Sequence, residues 1–307
     1  MVLAAVPGAY ADRVGDEVVM NKIGIIGGSG FYNIDGIKNV KKIKVTTPFG
    51  KPSDDFVTGS LCGKEVVFLA RHGKEHRVLP GEINYRANIY AMKKLGVTRI
   101  ISVSACGSLK EELRPLDIVI PDQFIDRTNN ARQMTFFGDG IVAHIPFADP
   151  VCGELSRSLA KAAEEVGANV HLGGTYLNME GPQFSTRAES RLYRSWGVDI
   201  IGMTNLAEAK LSREAEICYA TLACITDYDC WRMDEVNESV TIEMIISNLC
   251  SNVDISKSIL KTVMPELPES GGCACGSALK NSIITRPEFI SAGAKKKLKL
   301  IIGKYIK

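Results

Sequence analysis

Apolar segments of strand length recur along this chain, and each is followed at once by glycine, hydroxyl or charged residues. The segments long enough for buried strands span 22–26, 65–70, 98–104, 198–203 and 217–226. The turns that follow them are Gly27-Gly28-Ser29-Gly30, Arg71-His72-Gly73, Ser104-Ala105-Cys106-Gly107-Ser108, Met203-Thr204 and Asp227-Tyr228-Asp229. Because α/β proteins place their sites at the carboxyl ends of strands and beside helix N-termini, we expect these turns to meet at one edge of a sheet.

Helix signals lie between the strand segments. Residues 84–95 have the apolar spacing of an amphipathic helix. Thr186 stands three residues before Glu189, and Asn205 stands three residues before Glu208, so capping boxes are predicted at the start of two further helices. The alternation of strands and helices predicts an α/β fold, a single domain with a central mixed sheet flanked by helices.

We expect this domain to span 22–265. Residues 1–21 contain acidic residues and no sustained apolar core, so we interpret them as an N-terminal extension and not as a secretory signal. Residues 266–307 contain a Pro-Glu-Ser-Gly-Gly connector, Cys273-Ala274-Cys275 and six lysines between 295 and 307. We interpret them as a basic C-terminal tail whose lysine-rich part is a solvated helix packed on its own protein.

The composition of the 307 residues is that of a globular protein, with 45% hydrophobic and 23% charged residues. The net charge of +2 does not favour nucleic acid as a partner, because that electrostatic footprint requires a clustered excess of positive charge. The longest apolar runs are far shorter than the roughly 20 residues of a membrane span. We therefore expect a cytoplasmic protein without a membrane partner.

The nine cysteines are mostly scattered through apolar segments, which is typical of buried free thiols. The exception is Cys273-Ala274-Cys275, which is either two free thiols or a strained, redox-labile pair. With only four histidines and no zinc-finger spacing in the sequence, we expect no metal site.

Two of the turns carry groups that suit phosphate. The backbone N–H groups and the Ser29 hydroxyl of the glycine-rich turn can hold phosphate oxygens, although the turn lacks both the dinucleotide-binding and the P-loop spacing. Arg71 offers a planar fork of donors, and the imidazole of His72 adds another. Each turn taken alone is equally compatible with a purely structural loop, and so is the carboxylate pair of Asp227 and Asp229.

Eight segments in one collinear order, covering roughly 22–265, resemble the methylthioadenosine phosphorylases of the trimeric purine nucleoside phosphorylase family. These segments are IGIIGGSGFY, TPFGKPSD, ARHG, SACGS, DQFIDRT, EGPQFSTRAES, GMTNLAE and TDYDCW. The resemblance implies a pentosyltransferase in which inorganic phosphate attacks the anomeric carbon of 5′-methylthioadenosine. The products would be adenine and 5-methylthioribose 1-phosphate, with phosphate as a co-substrate and no cofactor.

Matched motif by motif, the resemblance also implies roles for individual residues. Phosphate would be held by Ser29, Arg71, His72, Ser104, the amide of Ala105, and Thr204. The ribose would face Met203, and the base would lie among Ser185, Asp227, Tyr228 and Asp229. The 5′ pocket would be formed by Phe184, Val240 and Met244, together with His144 of a neighbouring subunit. That last role implies a homotrimer or homohexamer.

The chemistry of such a reaction explains these residue types. Breaking an N-glycosidic bond leaves positive charge on the sugar and negative charge on the departing purine. A bound phosphate stabilises the cation, and an aspartic acid kept neutral by burial can protonate the purine at N7. We assign that role to Asp227, and we expect Asp229 to accept a hydrogen bond from a 6-amino group.

Some positions depart from the family pattern. Glu243 lies where an apolar neighbour of the 5′ pocket is expected, so a 5′-hydroxyl could also be admitted. Gly202 replaces the asparagine of animal-type members. The alternatives are a broad or 6-oxopurine nucleoside phosphorylase, or a non-catalytic purine nucleoside sensor. A sensor has no need of a phosphate site, and two carboxylates disfavour a 6-oxopurine.

Overall fold

The computed structural model describes residues 21–28, 34–129, 131–232, 242–269 and 272–306. Within the helix that begins at Ile242, the side chains of residues 242–246 and 249 are also outside the description. Three predicted site positions are affected. Ser29 and Val240 lie outside the described residues, and so does the side chain of Met244.

Eleven strands form one mixed sheet. They are β1 (Lys22–Gly27), β2 (Lys38–Ile43), β3 (Phe56–Leu61), β4 (Lys64–Ala70), β5 (Val97–Ser108), β6 (Ile118–Ile120), β7 (Gln123–Arg127), β8 (Val170–Leu172), β9 (Thr175–Met179), β10 (Ile200–Gly202) and β11 (Cys218–Asp227). The helices are α1 (Tyr85–Lys94), α2 (Gly153–Glu165), α3 (Arg187–Ser195), α4 (Asn205–Glu214), α5 (Ile242–Glu266), α6 (Ala292–Lys297) and α7 (Lys299–Ile302). Short 3-10 turns occur at Pro80–Glu82, Ala274–Ser277 and Pro287–Phe289.

The sheet forks at β5, its longest strand among the described residues. Along one edge, β5 runs parallel to β1 and then pairs antiparallel with β10, which leads to β9 and β7. Along its other edge it runs parallel to β11, which leads to β6 and β8. The carboxyl end of β5 therefore lies between the ends of β10 and β11, and this brings three predicted site turns together.

Helices cover both faces of the sheet, as the predicted fold class requires. One core cluster packs α2 and α5 against β5 and β11 through residues such as Leu159, Leu260 and Val103. The other packs α1 and α4 through residues such as Ile89 and Leu211. The prediction of a single α/β domain with a central mixed sheet flanked by helices is confirmed.

The segment 272–306 packs against the same core. Leu279, Leu298, Ile301 and Ile302 are buried in the second cluster. An isolated antiparallel β-bridge pairs Ile283 with Ala143. Lys296, Lys299 and Lys304 are exposed, while the apolar residues between them, Leu298, Ile301 and Ile302, face the core.

Several sequence predictions agree with the observed elements, and one helix start was wrong. The capping box of Thr186 and Glu189 is present at the start of α3. At α4, however, the N-cap residue is Thr204. The Glu208 side chain forms no capping box with Asn205, because it accepts a hydrogen bond from Arg71. The edge strand β2 was not predicted, since its KNVKKI sequence is almost wholly exposed and lacks apolar alternation.

Among the helices of the described ranges, none combines the length and the apolar character that a membrane span requires.

Gly202 is required by close packing, which accounts for its departure from the family pattern. A Cβ at this position would lie 1.9 Å from the hydroxyl oxygen of Tyr176, which is fully buried and donates to Asn205 at 3.1 Å. We expect Gly202→Ala to lower the free energy of unfolding by about 1–3 kcal/mol, because the added methyl group overpacks the core around Tyr176. Urea denaturation measures this loss.

The matched control for that substitution is Gly293→Ala in α6, where the nearest atom to the new Cβ is 3.9 Å away. This control should be as stable as the parent protein or slightly more stable, since alanine favours helix. A Gly202→Ala protein with an unchanged denaturation midpoint would show that the packing argument is wrong.

Candidate active site

A cavity of about 340 Å³ opens where the ends of β1, β4, β5, β10 and β11 meet, a volume typical of sites for small molecules. Nine of the predicted site residues line it: Arg71, His72, Ser104, Ala105, Phe184, Met203, Thr204, Asp227 and Asp229. Gly28, which precedes Ser29, also lines the wall. Three predicted residues, His144, Ser185 and Tyr228, are not part of the wall.

One end of the cavity is built on the buried guanidinium of Arg71. Its Nε donates to Glu208 at 2.5 Å, and its Nη2 donates to Ser102 at 2.6 Å and to the carbonyl of Ile26 at 3.4 Å. Nη1 donates to the carbonyl of Val103 at 3.0 Å. Burial opposes the charge, but the charge and hydrogen bond of Glu208 outweigh it and raise the pKa of Arg71 above its usual value. Arg71 is therefore a fixed cation, with one Nη1 hydrogen beyond those used in these bonds.

Glu208 was missed as a site residue because its spacing from Asn205 had the pattern of a helix cap. In the structure its carboxylate is 2% exposed and accepts from Arg71, from the Ser102 hydroxyl at 2.7 Å and from the Tyr219 hydroxyl at 3.0 Å. A buried carboxylate needs such partners, since desolvating an unpaired charge is costly. Glu208 neutralises Arg71 and holds its side chain in one orientation.

The protonation state of His72 follows from its backbone contact and its burial. Its Nδ1 lies 2.8 Å from the carbonyl oxygen of Val78, which can only accept, so Nδ1 carries the proton. Burial, followed by the charge of Arg71, lowers the pKa of His72 to about 4. The ring is therefore neutral near pH 7, and its Nε2 offers a lone pair.

Two hydroxyl groups complete the described part of this end. Ser104 and Thr204 are both buried, Ser104 in the C-terminal half of β5, which continues to Ser108, and Thr204 at the N-terminus of α4. The Thr204 hydroxyl donates to Asn205 Oδ1 at 3.1 Å, which leaves its oxygen lone pairs for another donor. Hydroxyls beside a helix N-terminus and a guanidinium are groups that bind an oxyanion.

The other end of the cavity is acidic. Asp227, the last residue of β11, follows an irregularity in the strand pairing and accepts from the Thr226 hydroxyl at 2.7 Å and the Asp229 amide at 2.8 Å. Burial raises the pKa of Asp227, and the charge of Asp229 adds to this effect. A Cβ on Gly107 would lie 3.0 Å from Asp227 Oδ1, so glycine leaves room for this carboxylate beside β5.

Asp229 lies in a left-handed turn, with φ of 52°, and is also buried. Burial raises the pKa of Asp229 above its usual value, while the nearby hydroxyl groups of Ser190 and Ser185 act in the opposite direction. Ser185 does not line the cavity, but its carbonyl accepts a hydrogen bond at 3.2 Å from the thiol of Cys230, the residue that follows Asp229. Two buried carboxyl groups with raised pKa values form a site for proton donation.

The loop that follows β9 closes the cavity on a third side. Gly181 has φ of 69°, and a Cβ there would lie 2.5 Å from Met203 Sδ, so glycine permits the close approach of this loop to Met203. Phe184 lines the cavity but remains 58% exposed, which places it at the rim. The apolar loop and Met203 together form the wall between the two polar ends.

Arg132 supports this wall and was missed by the sequence analysis. Its guanidinium donates to the Glu180 side chain at 3.0 Å, to the Tyr85 hydroxyl at 3.3 Å, and to the carbonyls of Met203 and Glu180. It therefore joins the ends of β9 and β10. No sequence signal distinguished it, because an arginine in a polar connection is usually solvated.

His144 lies on an exposed segment outside the cavity wall, where its backbone N–H donates to the carbonyl of Ser282 at 2.8 Å. Tyr228 lies between the two aspartates and stacks edge-on against Trp231. Neither side chain belongs to the cavity within this single chain.

Comparison with known proteins gives a consistent result. The family model of the phosphorylase superfamily matches residues 22–263. The S-methyl-5′-thioadenosine phosphorylase of Geobacter sulfurreducens is 60% identical over 284 residues, covering 92% of this chain and 99% of the relative. That of Koribacter versatilis is 57% identical, covering 92% of this chain and 96% of the relative.

Solved structures give the same relationship. A methylthioadenosine phosphorylase from an antarctic soil metagenomic library has a TM-score of 0.87 at 48% identity, covering 92% of this chain and 99% of that one. The methylthioadenosine phosphorylase of Schistosoma mansoni, solved in complex with adenine, has a TM-score of 0.78 at 38% identity, covering 85% and 96%. The chain belongs to the S-methyl-5′-thioadenosine phosphorylases, within the phosphorylase superfamily.

Proposed function

We propose that this chain catalyses the phosphorolysis of 5′-methylthioadenosine. Phosphate forms a new bond to the anomeric carbon as the bond to adenine N9 breaks, giving 5-methylthioribose 1-phosphate and adenine. The observation that carries the proposal is a single cavity with an oxyanion-binding end at Arg71 and a buried acid pair at Asp227 and Asp229. The similarity to S-methyl-5′-thioadenosine phosphorylases, and the adenine bound by the Schistosoma mansoni enzyme, support it.

In this mechanism the phosphate-binding end of the cavity orients the phosphate but contributes little net positive charge. The pair of Arg71 and Glu208 is neutral overall, and His72 is neutral near pH 7. The remaining Nη1 hydrogen of Arg71 donates to phosphate, and Nε2 of His72 accepts from a protonated phosphate oxygen. The phosphate charge is therefore not cancelled in the ground state, and the sugar cation that develops in the transition state is what balances it.

Ser104, Thr204 and the amide of Ala105 orient the same phosphate, together with Ser29 of the glycine-rich turn. Holding the nucleophile in line with the breaking bond removes the entropy cost of a bimolecular encounter. Met203 packs against the ribose between the two polar ends. This set needs inorganic phosphate as co-substrate and no cofactor.

At the acidic end, Asp227 in its protonated form donates to N7 of the departing adenine. Burial disfavours the charged form of this carboxyl group, which keeps a proton available for the leaving group. Asp229 accepts from the 6-amino group. A 6-oxopurine offers an acceptor at that position, so the pair discriminates against inosine and guanosine.

The methylthio group points toward Phe184, with Val240, Met244 and a neighbouring subunit's His144 completing its pocket. This part of the proposal requires a homotrimer or homohexamer, because His144 lies outside the cavity wall of its own chain. The proposal places the enzyme in the cytoplasm.

The substrate assignment is tested by measuring base release from methylthioadenosine, adenosine, methylthioinosine and inosine, each with and without inorganic phosphate. We expect phosphate-dependent release of adenine, fastest from methylthioadenosine. Equal rates on adenosine would contradict an apolar 5′ pocket. Release without phosphate would replace phosphorolysis by hydrolysis, and an absence of release would favour the nucleoside sensor.

The role of Asp227 is tested by Asp227→Asn, which removes a general acid without changing the size of the side chain. We expect kcat for methylthioadenosine to fall by about 10²–10⁴-fold. The phosphate KM should change little, since the two ends of the cavity are separate. Asp254→Asn on the exposed face of α5 is the matched control and should retain full activity. Full turnover by Asp227→Asn would disprove the assignment.

The pH dependence provides an independent test of the same acid. Because the pKa of Asp227 is raised and its protonated form is active, kcat should fall as the pH rises through that pKa. The decrease should be absent from the residual activity of Asp227→Asn, whose amide does not titrate. An identical pH profile in both proteins would mean that a group other than Asp227 causes the decrease of kcat at high pH.

The buried ion pair is tested by Glu208→Gln. Leaving Arg71 buried without a counter-charge should lower the free energy of unfolding by about 3–5 kcal/mol. Added phosphate should raise the melting temperature of this variant more than that of the parent protein, because the anion then pairs with Arg71. The control is Glu165→Gln, at an exposed position of α2, which should be neutral. Unchanged stability of Glu208→Gln would contradict the pairing.

A further inference from the structure

Four cysteine side chains converge at a place that the proposed reaction does not use. The Sγ atoms of Cys152, Cys218, Cys273 and Cys275 all lie within 4.8 Å of one another. Cys152, Cys218 and Cys275 are buried, and Cys273 is half-buried. None of the four lines the cavity described above.

Three separate parts of the fold bring these sulfurs together. Cys152 is the N-cap residue of α2, and its backbone N–H donates to the carbonyl of Tyr219 at 2.8 Å, which fixes it beside Cys218 at the start of β11. Cys273 and Cys275 lie at the 3-10 turn Ala274–Ser277. Cys273 is the extended N-cap residue of this turn and Cys275 lies within it, and the sulfurs of both reach the cluster.

The spacing of the sulfurs fits a single tetrahedral ion. Zinc–sulfur bonds of about 2.3 Å require neighbouring sulfurs to be about 3.8 Å apart in a tetrahedron. The six pairs here are all within 4.8 Å, and the sulfurs of Cys218 and Cys273 are 3.2 Å apart. Two separate disulfides would instead need two bonded pairs at about 2.05 Å, whereas all nine cysteines here are free thiols.

The surroundings also suit thiolate ligands. The cluster lies at the apolar core formed by α2, α5 and β11, with Cys152, Cys218 and Cys275 in that core and the half-buried Cys273 packed against it. Cys152 lies at the positive end of a 13-residue helix, which favours a negatively charged sulfur. Four neighbouring thiolates, three of them buried, require a cation, and a set of four cysteine sulfurs is a ligand set of structural zinc.

We propose that Cys152, Cys218, Cys273 and Cys275 bind one structural zinc ion. Binding displaces four thiol protons to solvent and forms four zinc–sulfur bonds, with no change of oxidation state. The ion attaches the C-terminal segment 272–306 to α2 and β11. Because that segment contributes Leu279, Leu298 and Ile302 to the core, the zinc site stabilises the fold and not the chemistry.

The first test uses the parent protein, expressed and purified without chelator or added metal. Elemental analysis should give about one zinc per chain, and a mercurial reagent should release it after about four equivalents have reacted with thiols, in proportion to four ligands. Replacement by Co²⁺ should produce the ligand-field bands of a tetrahedral site and sulfur-to-cobalt charge transfer. These measurements do not depend on nucleoside turnover.

Single substitutions locate the site. Cys273→Ser and Cys275→Ser should each reduce bound zinc by at least tenfold and lower the melting temperature. The matched controls are Cys62→Ser and Cys250→Ser, at exposed positions outside the cluster, which should retain zinc. If either cluster variant fails to fold, Cys273→His keeps a ligand and should retain zinc, and the mercurial titration of the parent protein remains decisive.

Two results would overturn the proposal. One is a metal-free parent protein whose cluster cysteines all react as free thiols. The other is an intact mass lower by two hydrogens for each disulfide, with the missing thiols mapped to these four residues. Zinc retained in full by Cys275→Ser would likewise exclude this cluster as the binding site.

Discussion

The ion pair between Arg71 and Glu208 is the interaction around which the candidate site is organised. It joins the end of β4 to the first turn of α4 in a region where both side chains are 2% exposed. Ser102 and Tyr219 complete the bonding of the carboxylate, which ties β5 and β11 to the same point. A guanidinium that is fixed and neutralised in advance can orient a phosphate without reorganising during the proposed reaction.

The fork of the sheet at β5 connects that pair to the acidic end. Because the carboxyl end of β5 lies between β10 and β11, the Ser104 hydroxyl, Met203 and Asp227 surround one cavity. Gly107 and Gly202 make this convergence possible, since a Cβ at either position would meet a neighbouring side chain. The two ends of the cavity match the two requirements of the proposed reaction. The end at Arg71 binds an anion, and the end at Asp227 supplies a proton.

The C-terminal segment links this architecture to the cysteine cluster. Its apolar side chains complete the core beside α1 and α4, while Cys273 and Cys275 contact the opposite core cluster. Its backbone also pairs with the segment that carries His144. Stabilising this segment and positioning His144 are therefore connected, although the four cysteines are separate from the cavity.

The sequence by itself determined the α/β class, the family and most of the turns that line the cavity, because these depend on local patterns: apolar strand segments followed by polar turns. It did not indicate Glu208, Arg132 or the four-cysteine cluster. Their partners are far away in the chain, 137 residues in the case of Arg71 and Glu208. Only the tertiary structure decided which buried charges meet, which nitrogen of His72 carries the proton, and which sulfurs converge. Burial and pairing are properties of the packed chain and not of sequence spacing.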